Sequence, residues 1–66
     1  MNEDERKDLL QYLAVQSLRV DEMVENAISL AEVSKSYEAW QYVAACALIR
    51  KQWNKFAHDL SAILKL

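Results

Sequence analysis

Few side chains in this chain could do chemistry, and their spacing decides what that chemistry could be. Cys46 is the single thiol and His58 the single imidazole. His58 stands beside Asp59 and shortly before Ser61, which are the residue types of a hydrolytic triad. A triad needs its nucleophile held against the base inside a shaped cavity, and neighbours along one short run have no such cavity around them. His58 with Asp59 is also too small a set to hold a metal ion, which needs converging ligands. The acidic run Glu3, Asp4, Glu5 suits the start of a helix, where the dipole favours negative charge, better than an acid–base site. There is no glycine, hence no glycine-rich phosphate loop. Cys46 sits among apolar neighbours, the usual place of an inert core thiol. The expectation is a chain without catalytic residues, cofactor or metal.

Basic and aromatic residues interleave in "RKQWNK", Arg50 to Lys55, a pattern that can bind nucleic acid. Trp53 belongs to an apolar stripe, however, which leaves Arg50, Lys51 and Lys55 as a solvated face. The net charge of −2 supplies no electrostatic drive toward phosphate, so nucleic acid is not an expected partner.

Two long helices must position whatever remains. The chain has 66 residues and lacks proline as well as glycine, so the stretch "VSKSY" is the one plausible break. Serine favours helix starts, and Ser36 is the expected N-cap of a second helix with Glu38 in its first turn. Apolar residues recur at alternating spacings of four and three: Leu9, Leu13, Gln16, Val20, Met23, Ala27 and Leu30, then Tyr42, Cys46, Ile49, Trp53, Phe56, Leu60 and Ile63. Leu10, Ser17, Val24, Ile28 and Ala31 widen the first stripe. Folding the chain near residue 36 pairs Leu30 with Tyr42, Ala27 with Cys46, Met23 with Ile49, Val20 with Trp53, Gln16 with Phe56, Leu13 with Leu60 and Leu9 with Ile63. This register predicts an all-α, coiled-coil-like antiparallel hairpin, one domain over 1–66, with helices over about 3–33 and 36–65.

The second helix has more apolar surface than one seam requires. Tyr37, Trp40, Val43, Ala44, Ala47 and Leu48 lie off the stripe; Trp40, Val43 and Ala47 are expected roughly opposite it. Aromatic residues in a contiguous apolar patch point to a protein interface, and these six are the expected partner-binding residues. The partner is either a second copy, giving a homodimeric four-helix bundle that serves as a regulator or adaptor, or a different protein. A phage-encoded inhibitor that sequesters a host factor fits the same surface.

Composition agrees with an interaction protein. The chain is 53% hydrophobic and 27% charged, which is globular rather than disordered. One cysteine forms no internal disulfide, so a reducing, cytoplasmic setting is expected. No apolar run reaches membrane-spanning length, and the acidic start "MNEDERKD" has no secretory apolar core. A domain this small commonly depends on a partner for stability.

Length, the hairpin layout and "YEAWQ" at Tyr37 to Gln41 together resemble the small co-chaperones of the type III secretion needle subunit of bacterial injectisomes. The resemblance implies a helical hairpin that binds a larger helical-repeat chaperone in the cytosol. With it, the hairpin would help keep the needle subunit unpolymerised until export.

Overall fold

A computed structural model describes residues 2–65; Met1 and Leu66, the ends of the expected 1–66 domain, lie outside the described residues. The fold is an antiparallel hairpin of two helices, α1 over Glu3–Ser34 and α2 over Tyr37–Leu64. Each boundary has a local cause. Asn2 caps α1: its Oδ1 accepts the Glu5 amide at 2.8 Å, and its Nδ2 donates to the Glu5 carboxylate at 3.1 Å. That reciprocal pair satisfies an amide that would otherwise have no partner. Glu3, Asp4 and Glu5 occupy the first turn, where the helix dipole stabilises them.

The turn is equally specific. Lys35 takes the left-handed conformation (φ 53°, ψ 28°) and returns its amide to the Ala31 carbonyl at 2.8 Å, a common way of ending a helix. Ser36 is extended, and its Oγ accepts the Ala39 amide at 3.1 Å, so it is the N-cap that its residue type predicts.

Two further ties hold the helices in register. Midway along the hairpin, the Trp53 indole N–H donates to Ser17 Oγ at 2.8 Å. At the open end, the Arg6 guanidinium donates to the Lys65 carbonyl at 2.8 Å. This places a cation on a carbonyl at the end of α2, where the dipole is negative.

The core is small. Val24, Ala27 and Cys46 form its buried cluster, with Met23, Ile28 and Val43 packed against it; Leu13 and Ala31 are also buried. The seam therefore differs from the expected one in its rotation. Of the expected pairs, Ala27 and Cys46 share the cluster, and both members of Leu13–Leu60 and Val20–Trp53 are buried or half-buried. Leu30, Tyr42, Ile49, Phe56 and Ile63, placed in the seam by the apolar spacing, are instead exposed. Their places are taken by Val24, Ala31 and Val43, and on α2 also by Ala39, Ala47, Ala57 and Leu64. The cause is steric. Helices approach most closely along lines of small side chains, and Ala27, Ala31 and Cys46 provide such a line. Near the turn the bulkier Leu30 and Tyr42 stand to the flank of that line.

Candidate interaction surface

Tyr42, Ile49, Phe56 and Ile63 recur every seven residues. On a helix with about 3.6 residues per turn they line up along one flank. Their exposures are 54%, 49%, 54% and 76%, so α2 presents a nearly unbroken ridge of large apolar side chains beside its seam. The ring of Phe56 is stacked obliquely on Trp53, with centroids 5.6 Å apart and planes 44° to each other. This aromatic contact joins the ridge to the seam.

The matching flank of α1 lies on the same side of the hairpin. An open groove of about 420 Å³ is lined by Arg19, Glu22, Met23, Asn26, Ala27 and Leu30 from α1 and by Tyr42 from α2. One face of the molecule thus combines the α2 ridge with Met23 and Leu30. The Tyr42 phenol in this groove is pushed up from its ordinary value near 10, first by hydrogen bonding with the Cys46 side chain, then by electrostatic interaction with it and by partial burial. The ring stays neutral over the physiological pH range and acts as an amphipathic contact rather than a charge.

Of the six residues expected to bind a partner, four share one exposed face of α2 and two are drawn toward the seam. Tyr37, Trp40, Ala44 and Leu48 are exposed. Val43 packs against the buried cluster and Ala47 is half-buried. Both thus help close the hairpin, where they were expected opposite the seam. The seam has rotated toward them for the steric reason given above. The ridge of Tyr42, Ile49, Phe56 and Ile63 was assigned to the seam because spacing alone cannot say which edge of a wide stripe faces the neighbouring helix. Its signal was already in the sequence: four large apolar residues at a strict interval of seven.

The residues with chemical potential are scattered. His58 and Asp59 are exposed and Ser61 is half-buried. Cys46 is buried. Arg50 is half-buried, and Lys51 and Lys55 are exposed. Among the described residues, no three His, Cys, Asp or Glu side chains converge on a point that could hold a metal. Nor is any helix long and apolar enough to cross a membrane. Comparison with family models, with curated proteins and with solved structures finds no match.

Proposed function

We propose that this chain is a non-enzymatic interaction protein that works by presenting the apolar face of its hairpin to helical protein surface. The observation that carries this reading is the α2 ridge, whose four large side chains are about half exposed or more. Side chains aligned along one flank form a contiguous patch, unlike single exposed apolar residues, and contiguous apolar patches mark interaction sites. In its finer form the proposal is a type III secretion co-chaperone, acting in the cytoplasm. There it would bind a helical-repeat chaperone and help hold the needle subunit unpolymerised. That form rests on the resemblance through Tyr37 to Gln41 and on the hairpin layout.

The test is co-expression with a helical-repeat needle chaperone and its needle subunit from the same organism. The expected result is a complex that co-purifies and keeps the needle subunit out of the polymer fraction. An unpolymerised fraction that is the same with and without this chain would reject the co-chaperone role.

A further inference from the structure

The hairpin is one layer of helices. Its Cα extents are 49 × 17 × 9 Å, whereas stable domains are built from at least two packed layers around a core. The missing layer has a measurable size. The chain exposes 5194 Å², while a compact monomer of 7.7 kDa exposes about 4,300 Å² by the usual scaling. The excess, about 900 Å², is close to the ~800 Å² that each partner buries in a standard interface.

We propose that a second copy of this chain supplies that layer, face to face, forming an antiparallel four-helix bundle with both turns at the same end. The proposal rests on the reading of the ridge as an interface and names a second copy as its occupant in the isolated protein, so a helical-repeat chaperone would compete with the dimer for this face. In this arrangement α1 of one copy lies over α2 of the other. Outward residues of matching height then meet: Leu30 with Tyr42, Met23 with Ile49, Gln16 with Phe56, and Leu9 with Ile63 of the second copy. Leu9, Gln16 and Met23 are half-buried in the single hairpin and Leu30 is exposed, so each has surface left to cover. Flexible side chains of α1 thereby face the rigid ridge of α2, a self-complementary pattern suited to a two-fold interface.

Apolar matching selects the orientation. With turns at opposite ends, α1 would cross its own copy antiparallel near mid-length, Arg19 would meet Arg19 with Glu22 of each copy about one turn away, and the α2 ridges would face each other instead of the α1 flank. With turns at the same end, Arg19 faces the uncharged Gln52, which the Trp53–Ser17 bond sets at about the same height. The apolar stripes of the sequence acquire a simple meaning in such a bundle. Each helix has two neighbours, so its stripe points to the bundle centre, between the hairpin seam and the second copy.

The decisive measurement is the mass of the purified wild-type chain by sedimentation equilibrium over a dilution series. The expected mass is twice 7.7 kDa. Ile49→Lys and Phe56→Lys should each weaken the dimer by about thirty-fold or more, as loss of a central anchor does; Leu48→Lys should leave it unchanged. Circular dichroism of the same samples shows whether the variants stay helical. Should they unfold, the wild-type mass still decides. Spin labels on Val33→Cys in a Cys46→Ser background report the orientation. Same-end turns place the two labels on the order of 20 Å apart, and opposite ends place them on the order of 40 Å apart. A long distance overturns the orientation, and a dimer indifferent to Ile49→Lys and Phe56→Lys overturns the face. A helical wild-type monomer overturns the second copy but leaves the interaction reading to its own co-expression test.

Discussion

The half of the hairpin next to the turn and the half at its open end are built from opposite materials. Near the turn the buried residues are Val24, Ala27, Ala31 and Cys46, and the helices close tightly on small side chains. Toward the open end Leu13 is the buried apolar residue among those described. The larger groups there, Leu9, Trp53, Leu60 and Leu64, are half covered, and Phe56 is exposed. That half is held by polar ties, Trp53 to Ser17 and Arg6 to Lys65. Close packing and apolar area are therefore separated. Each buried methyl contributes only about 0.8 kcal/mol, so the well-packed half draws little stability from burial. The half with the larger side chains leaves much of their area in water. A second layer would raise stability most at the open end.

The largest expected effect tests the turn-proximal half. Val24→Asp puts a carboxylate without a partner into a site that is 1% exposed. Leaving a buried charge unpaired costs several kcal/mol, enough to unfold a marginal domain. Far-ultraviolet circular dichroism should show loss of helix at 25 °C. Leu13→Asp, in the looser half, should be less damaging, and Leu60→Asp less again because Leu60 is half-buried. Equal damage from all three would erase the contrast between the halves.

A smaller effect tests one of the polar ties that hold the open half. Ser17→Ala and Trp53→Phe each break the indole–hydroxyl bond. A double-mutant cycle measured by urea unfolding should give a coupling of about 1 kcal/mol. A coupling indistinguishable from zero would mean that the bond does not fix the register.

How much of this was legible in the sequence depends on which physical signal carries it. Helix ends were legible because caps are local: Ser36 binds the Ala39 amide whatever the rest of the chain does. The hairpin was legible because two stripes of helical period meet at one break. The rotation of each helix was not. Tyr42 and Val43 are adjacent in sequence and both apolar, and only the packing of one helix on the other decides that Val43 turns in while Tyr42 turns out. Interhelical ties such as Trp53 with Ser17 were invisible for the same reason. The apolar ridge was visible in its spacing yet assigned to the wrong neighbour.

The smallest expected effect, and the only stabilising one, compares the two ends through their lysines. Lys35 in the turn and Lys65 at the open end both have positive φ, 53° and 56°. A side chain with a Cβ is strained there by about 1 kcal/mol, and glycine is not. Glycine also adds freedom to the unfolded chain, which offsets part of the gain. Lys35→Gly should therefore raise stability by about 0.5 kcal/mol, read as a higher thermal midpoint. The turn must form for the helices to meet at all, so relief of its strain acts on the whole cooperative fold. Lys65→Gly relieves similar strain at a helix end, where the last turn opens without unfolding the rest, and should leave the midpoint unchanged. The Arg6 bond to residue 65 uses the backbone carbonyl and survives either substitution. Equal gains from both variants would show that the open end is as firmly part of the cooperative unit as the turn, against the division drawn from burial.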